Sequence, residues 1–251
     1  MSSEKLAGKK AIVSGGSRGI GRGIALTLAA EGADVAFCHY KDDEKASQTV
    51  ADIEALGRKA FAADCDVSST SAIKDFYAAS VNSIGDIDIL VNNAGIATSA
   101  PIHEMTDEMW DELISIHLNA TFYATTECLK VMYEQGYGRI INTASQLAYK
   151  GSPGFSHYTA AKGAIISFTR SLSLEIGKMN IRANCVAPGA TMTRMLSEVP
   201  TEILDGIKAS IPKGTIANIE EIVPAYVFLA SDDGDHFVGQ TISPNGGDHF
   251  L

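Results

Sequence analysis

The sequence KAIVSGGSRGIG at residues 10–21 decides the fold class, because it joins a short apolar run to a glycine-rich turn. KAIVS (10–14) has the length and composition of a buried β-strand, and the apolar periodicity over about 19–31 predicts a helix. Between them, Gly15, Gly19 and Gly21 have the spacing GxxxGxG. A strand, a glycine turn and a helix in this order are typical of the first unit of a parallel α/β sheet.

The alternation of short apolar runs with longer amphipathic segments continues along the chain. Further strands are predicted at 34–38, 59–63, 88–92, 138–145, 181–188 and 239–243. Further helices are predicted at about 42–56, 69–84, 107–134, 156–177 and 219–230, and residues 190–215 are less regular. Nearly continuous apolar strands separated by helices predict a doubly wound parallel (Rossmann) sheet with helices on both faces. We expect one domain over residues 1–251.

The composition excludes several classes of protein. The 251 residues are 45% hydrophobic and 20% charged, an ordinary globular balance. A net charge of −10 disfavours broad contact with nucleic acid, and no apolar stretch suits a signal sequence or a membrane span. The four cysteines are scattered without metal-ligand spacing, so we expect no metal, reduced thiols and a cytoplasmic protein.

The glycine turn predicts a dinucleotide site. Gly15 permits a tight turn, Gly19 lets the backbone approach a pyrophosphate, and Gly21 lets the helix pack close to the strand. The unpaired N–H groups at the start of that helix would then face the anion.

The choice of cofactor should be made near the end of the second strand, where an acid would hold the ribose 2′-hydroxyl of NAD. His39, Tyr40 and Lys41 stand there, and residues 35–41 contain no carboxylate. Arg18 could reach the same space and meet a 2′-phosphate, so NADP(H) is favoured over NAD(H). The alternative is that Arg18 and Lys41 are solvated surface charges.

Several residues that could contribute to a ligand site are predicted at one edge of the sheet. Tyr158 and Lys162 are four residues apart in a helical pattern and share one face. Ser145 ends the fifth strand, NNAG (92–95) follows the fourth, and Pro188 and Gly189 follow the sixth. The carboxyl ends of parallel strands are where doubly wound sheets bind ligands.

Taken together, these elements resemble the short-chain dehydrogenase/reductase family over essentially the whole chain. The matching elements are SGGSRGIG, Asp66 in DCDV, NNAG, Ser145, the Tyr158/Lys162 pair and PGATMT (188–193). The resemblance implies an NAD(P)-dependent oxidoreductase that interconverts a small ketone and a secondary alcohol. Overall similarity leans towards the 3-oxoacyl-thioester reductases, although secondary-alcohol and polyol dehydrogenases look almost the same at this level. A more remote alternative is a dinucleotide-binding sensor without activity.

The resemblance also implies roles for individual residues. Tyr158 would be the general acid/base, with its pKa lowered from about 10 by Lys162 and by oxidised nicotinamide. Ser145 would hold the substrate oxygen, and Lys162 would also bind the nicotinamide ribose. The implied cofactor contacts are Gly15, Ser17, Arg18, Gly19, Ile20, Gly21, His39, Tyr40, Asp66, Val67, Asn92, Ala94, Gly95, Pro188, Gly189, Thr191 and Thr193, besides Tyr158 and Lys162. The implied substrate contacts are Ser145, Gln146, Leu147, Phe155 and Met195, with 190–215 as a substrate loop.

One position departs from the family pattern. The family usually has a catalytic Asn in the long fourth helix, and His117 stands at that position, since Asn119 faces elsewhere on a helix. Either the backbone carbonyl at 117 keeps a relay water in place, or the His117 imidazole joins the proton relay. His157 is expected on the surface or lining the substrate loop.

The two long helices have small apolar faces, which include Ala120, Ala124, Ala160, Ala161 and Ala164. Such faces suit close helix packing, either within the core or between subunits. The resemblance to the family implies a homo-oligomer, and a homotetramer is the expected form.

Overall fold

The computed structural model describes residues 4–197 and 199–250 and contains one parallel sheet. Its strands are β1 (Lys10–Ser14), β2 (Asp34–His39), β3 (Ala60–Asp64), β4 (Ile89–Asn92), β5 (Gly138–Thr143), β6 (Ile181–Val186) and β7 (Thr241–Ile242). They lie in the order β3-β2-β1-β4-β5-β6-β7, and every neighbouring pair is parallel. The predicted doubly wound sheet is confirmed.

Helices connect the strands and cover both faces of the sheet. They are α1 (Gly19–Ala30), α2 (Asp43–Ala55), α3 (Thr70–Ile84), α4 (Asp107–Ile114), α5 (Ala120–Gln135), α6 (Leu147–Lys150), α7 (Ser156–Ile176), α8 (Arg194–Ser197), α9 (Thr201–Ser210) and α10 (Pro224–Ala230). Short 3₁₀ turns occur at Ile219–Glu221 and Asp232–Gly234. Within residues 4–197 and 199–250, no helix is both long enough and apolar enough to cross a membrane.

The core has two layers because successive residues of a strand point to opposite faces. In β1, Val13 packs into a cluster that contains Ile24 and Leu28 of α1. Its neighbour Ile12 packs into the other cluster, with Phe76 of α3 and Met132 of α5. The strands are therefore apolar on both sides, which is why their sequences lack the alternation of an exposed sheet.

Strands β2 and β3 extend the sheet on one side of β1, and β4 to β7 extend it on the other side. This change of side between β1 and β4 opens a crevice at the carboxyl ends of those two strands. The Ser14 hydroxyl at the end of β1 accepts hydrogen bonds from the backbone N–H groups of Asn93 and Ala94, both at 2.9 Å. These bonds fix the segment after β4 beside the glycine turn.

Two predicted elements differ in the structure. The helix predicted at 107–134 is α4 and α5, joined by a π-helical turn at Ser115–Asn119. The helix predicted at 219–230 is a 3₁₀ turn followed by α10, which begins at Pro224 because proline is suited to the first position of a helix. The irregular region 190–215 contains α8 and α9.

Candidate active site

A cleft of about 680 Å³ opens at the carboxyl ends of the central strands. The glycine turn, the ends of β2 and β3, and the segments after β4, β5 and β6 all line it. The predicted residues on its walls are Gly15, Ser17, Arg18, Gly19, Ile20, Gly21, His39, Tyr40, Asp66, Val67, Ala94, Gly95, His117, Ser145, Tyr158, Lys162, Pro188, Gly189, Thr191 and Thr193. The topology thus brings most of the predicted set to one cavity.

The glycine turn is shaped for a ligand that approaches the backbone closely. Gly15 has φ 72°, a left-handed conformation that favours glycine. A β-carbon on Gly21 would overlap the Gly15 carbonyl oxygen, so α1 can begin against the turn only with glycine there. The start of α1 faces the cleft, where its N–H groups fit the pyrophosphate of a dinucleotide.

Asp42 is a carboxylate in this half of the cleft that the sequence analysis missed. The Arg18 guanidinium contacts it at two points, Nε to Oδ2 at 2.7 Å and Nη2 to Oδ1 at 2.6 Å. The Ser17 hydroxyl donates to Oδ2 at 2.7 Å. Burial acts to raise the pKa of Asp42, but the Ser17 and Arg18 hydrogen bonds and the Arg18 charge hold it below its usual value.

The signal for Asp42 was present in the sequence, since it directly follows the window 35–41. Lys41, with φ 50°, turns the chain after β2 and brings Asp42 back towards the glycine turn. Sequence spacing alone does not reveal this reversal.

Asn92 lies away from the cleft walls, in contrast to its neighbours Ala94 and Gly95. Its amide donates to Asn142 Oδ1 at 2.8 Å and to Thr125 Oγ1 at 3.3 Å. The Asn142 amide in turn donates to Thr169 Oγ1 at 2.8 Å. This buried network joins β4 and β5 to the helices on one face, so Asn92 supports the central strands.

Ser145, Tyr158 and Lys162 meet at the inner end of the cleft. Ser145 follows β5, and Tyr158 and Lys162 share one face of α7. The Ser145 Oγ accepts a hydrogen bond from the backbone N–H of Leu147 at 3.2 Å, which leaves its own proton to donate. The Lys162 Nζ lies 5.8 Å from the Tyr158 ring centroid.

The two titratable groups of this constellation are shifted mainly by burial. Burial lowers the pKa of Lys162 to about 8, and its Nζ donates to the Thr143 carbonyl at 2.6 Å. Burial raises the pKa of Tyr158, against the opposing effect of a hydrogen bond with Ser145. In the chain alone, the Tyr158 pKa is therefore above its ordinary value, since desolvation of the phenolate outweighs the nearby serine.

Comparison with known proteins identifies the family. The family model described as "Enoyl-(Acyl carrier protein) reductase" matches residues 15–249. A 3-oxoacyl-[acyl-carrier-protein] reductase FabG of Staphylococcus aureus is 36% identical over 239 residues, which are 95% of this chain and 97% of that protein. The chain belongs to the short-chain dehydrogenase/reductase family. It is thus an NAD(P)-dependent oxidoreductase that interconverts a ketone and a secondary alcohol.

Two further members of the family cover nearly the whole chain. An acetoacetyl-CoA reductase of Rhizobium meliloti is 39% identical over 248 residues, 96% of this chain and 98% of that protein. A short chain dehydrogenase of Burkholderia cenocepacia, solved in complex with NADP, is 33% identical with a TM-score of 0.92, covering 97% of this chain and 99% of that one. The similarity extends from the glycine turn to the C-terminal segment.

His117, the departure from the family pattern, is buried at the centre of the π-helical turn. Its Nε2 lies 3.0 Å from the Ile96 nitrogen and 2.8 Å from the Ile96 oxygen. A neutral imidazole nitrogen either donates or accepts, so His117 satisfies one of these groups at a time. Its Nδ1 is buried without a hydrogen-bond partner among the described residues. The helix is widened to a π-helical turn at Ser115–Asn119, with His117 at its centre.

The surroundings of His117 keep its ring neutral. Burial is the main cause that lowers the pKa of His117 to about 3, and the Lys162 charge adds to it. The ring meets Tyr158 edge-on, with centroids 5.5 Å apart. The His117 carbonyl accepts from the Thr121 hydroxyl at 2.7 Å and from the Ala120 N–H. The Thr121 hydroxyl therefore occupies one acceptor position of that carbonyl, whereas the Ala120 N–H is shared with the Ser115 carbonyl.

The surface alternative for His157 is wrong. His157 is fully buried, not on the surface, because it lies at the start of α7 under the segment that follows β4. Its Nε2 is 2.9 Å from the Thr98 hydroxyl, and burial lowers its pKa. This hydrogen bond joins that segment to α7, the helix that carries Tyr158.

The predicted substrate residues differ in their position relative to Tyr158 and the cleft. Phe155 lies edge-on to Tyr158, with ring centroids 6.3 Å apart, and so stands next to the predicted proton donor. Leu147 is half-buried at the start of α6. Gln146 is buried and its amide donates to Asp248 Oδ2 at 2.6 Å, which turns it away from the cleft. The side chain of Met195 lies outside the described residues.

Proposed function

We propose that this member of the family reduces the ketone of a small 3-oxoacyl thioester with a nicotinamide dinucleotide, with Tyr158 as proton donor. The observation that carries the proposal is the convergence of Ser145, Tyr158 and Lys162 in the cleft that also contains the glycine turn. Two relatives named for 3-oxoacyl-[acyl-carrier-protein] and acetoacetyl-CoA reduction support the substrate class.

Each of three residues in the cleft has its own role in the proposed reaction. When bound, the reduced cofactor supplies the hydride. The Ser145 hydroxyl donates to the substrate oxygen and orients the carbonyl. Tyr158 gives its proton to that oxygen as negative charge develops there. The Lys162 ammonium, together with the positive charge of oxidised nicotinamide, opposes the effect of burial and lowers the Tyr158 pKa.

Lys162, rather than His117, is proposed as the group that titrates near neutral pH in this site. The pKa of Lys162 is about 8, whereas that of His117 is about 3. The carbonyl at 117 accepts from the Thr121 hydroxyl and keeps a second lone pair, so the relay-water alternative at this carbonyl stays available. His117 is therefore proposed to hold Ile96 and the wall beneath Tyr158 while remaining neutral.

NADP(H) is the proposed cofactor, with NAD(H) also accepted. Arg18 lies on the cleft wall where a 2′-phosphate is expected, and a family member was solved with NADP. Asp42 opposes this preference, because its charge would repel a 2′-phosphate and its oxygens could accept a hydrogen bond from a ribose hydroxyl. The preference should therefore be modest.

The apolar wall near Tyr158 favours an acyl substrate over a polyol. Ile96, Ile116 and Leu196 line the cleft, and Phe155 packs on Tyr158. A polyol would need several polar partners there, since unpaired buried hydroxyl groups cost free energy. The alternative, a secondary-alcohol dehydrogenase acting on one apolar alcohol, is compatible with the same wall.

A substrate panel tests the proposal. The oxidation of NADPH and NADH is followed by absorbance with 3-oxoacyl-CoA esters, simple ketones and, in reverse, polyols. Turnover of 3-oxoacyl esters at least about tenfold above the other classes supports the proposal. Turnover of polyols alone contradicts it, and tight cofactor binding without any turnover favours the non-enzymatic sensor.

A homo-oligomer, with a tetramer as the expected form, and a cytoplasmic location belong to the same proposal. Leu174 of α7 and Phe122 of α5 are 88% and 50% exposed, so both long helices present a large apolar side chain that a second subunit could cover. The four cysteines are buried as free thiols, which suits a reducing compartment. Light scattering of the purified protein would contradict the assembly if it gave the mass of one chain.

A further inference from the structure

We infer that the C-terminal strap, residues 243–249, positions Ser145 for catalysis and that Asp248 is the contact through which it acts. This inference rests on the proposed function, because it assigns a positioning role for the same reaction. Asp248 does not line the cleft, so it would act only through other residues.

Asp248 holds both ends of the short helix α6. Its Oδ2 accepts from the Gln146 amide and from Lys150 Nζ, each at 2.6 Å. Gln146 immediately precedes α6 and Lys150 is its last residue. The Asp248 side chain is only 6% exposed, and hydrogen bonds to a buried charge are stronger than neutral ones.

A stacked pair adds a third contact between the strap and α6. The rings of His249 and Tyr149 lie 5.6 Å apart at 20°. One face of α6 is therefore covered by consecutive residues of the strap.

The same helix controls the hydroxyl of Ser145. The Leu147 N–H, the first of α6, donates to Ser145 Oγ at 3.2 Å. A rotation or shift of α6 would move this donor and change the direction in which the Ser145 proton points. Small displacements of a positioning group can cost about 100-fold in rate.

The strap is anchored independently of α6, so it can serve as a fixed support. The Ser243 hydroxyl donates to the Ala187 carbonyl at 2.8 Å, and the Gly189 N–H donates to the Pro244 carbonyl at 3.1 Å. Both bonds join the strap to the segment after β6. Within the strap, the Asn245 amide donates to the His249 carbonyl at 2.7 Å and closes the turn that presents Asp248.

The test is a double-mutant cycle between Asp248→Ala and Ser145→Ala. Asp248→Ala alone is expected to lower kcat about tenfold for the carbonyl substrate and to leave the Kd for NADPH within about twofold. In the Ser145→Ala background, the same change should cost almost nothing, because the group it positions is gone. An equal loss in both backgrounds would show a general structural effect and overturn the inference.

Two controls keep the result interpretable. Asp233→Ala removes an exposed ion pair with Lys5 (2.6 Å), remote from the cleft, and should leave kcat unchanged. If Asp248→Ala does not fold, Asp248→Asn keeps the shape and removes the charge, and it enters the same cycle. An Asp248→Asn enzyme with the kcat of the wild type would also overturn the inference.

Hydrogen exchange provides a readout that does not depend on turnover. The amides of residues 147–151 should exchange faster in Asp248→Ala than in Asp233→Ala, because α6 loses its support. If the wild-type enzyme reduces no carbonyl, the proposed function fails while this comparison still tests the strap. Unchanged exchange in 147–151 would contradict the strap while leaving the proposed function intact.

Discussion

Arg18 and Asp42 form a two-point ion pair in the cofactor half of the cleft, with N–O distances of 2.6 and 2.7 Å. The arginine that would bind a 2′-phosphate is thus already paired with a carboxylate. The charge preference of this region is set by the pair, and not by Arg18 alone.

Replacing Asp42 should therefore increase the preference for NADP(H). In Asp42→Asn, Arg18 loses its competing partner and the repulsion of a 2′-phosphate disappears. We expect the ratio of kcat/KM for NADPH to that for NADH to rise about tenfold, equivalent to about 1.4 kcal/mol. Steady-state kinetics with both cofactors measure it.

Asp52 provides the matched control for Asp42. It pairs with Arg22 at 2.5 Å between α2 and α1, outside the cleft. Asp52→Asn should leave the cofactor ratio unchanged. A ratio that moves equally in both variants would contradict a specific role for Asp42.

Tyr158→Phe should remove the proton donor while keeping the ring. We expect kcat to fall about 1000-fold, within the range for loss of a general acid, with the Kd for NADPH within about twofold. Fluorescence titration and stopped-flow kinetics give the two values. A variant that retains more than a tenth of the wild-type kcat would contradict the assignment.

His117→Asn tests whether the imidazole takes part in proton transfer. Because burial keeps the pKa of His117 at about 3, the ring is neutral throughout the working range. The pH dependence of kcat/KM should therefore have the same shape in both enzymes between about pH 5 and pH 9. Loss of an acid or alkaline limb in the variant would place His117 in the relay.

The contribution of Lys162 to the free energy of unfolding should rise with pH. Burial lowers its pKa from 10.5 to about 8, so between these values the unfolded chain binds a proton that the folded chain does not. The free-energy penalty of burying the ammonium is fully present below pH 8 and is lost as the pH rises towards 10.5. Burial raises the pKa of the Cys128 and Cys185 thiols, a hydrogen bond with Cys38 and burial raise the pKa of Cys65, and these groups contribute in the opposite direction above about pH 9. The change in unfolding free energy between about pH 8 and pH 10, measured with urea, should therefore be more positive in the wild type than in Lys162→Met. Equal changes in the two proteins would contradict the shift.

Local sequence patterns predicted the strands well, because a buried parallel strand is a short apolar run with few alternatives. They failed at residues whose partners are distant in sequence. The segment 107–134 has the periodicity of one helix, yet His117 reaches Ile96 and a π-helical turn divides it. His157 was misplaced for a similar reason, since its partner Thr98 is distant in sequence.

The sequence by itself determined the sheet and the glycine turn, because each follows from local composition and spacing, and its resemblance to a family singled out Ser145, Tyr158 and Lys162. Only the tertiary structure decided which polar groups meet. It paired Arg18 with Asp42, turned Gln146 towards Asp248, and surrounded His117 and Lys162 with enough protein to lower the pKa of each. Burial and partner choice depend on atoms brought together from distant parts of the chain, and no local pattern records them.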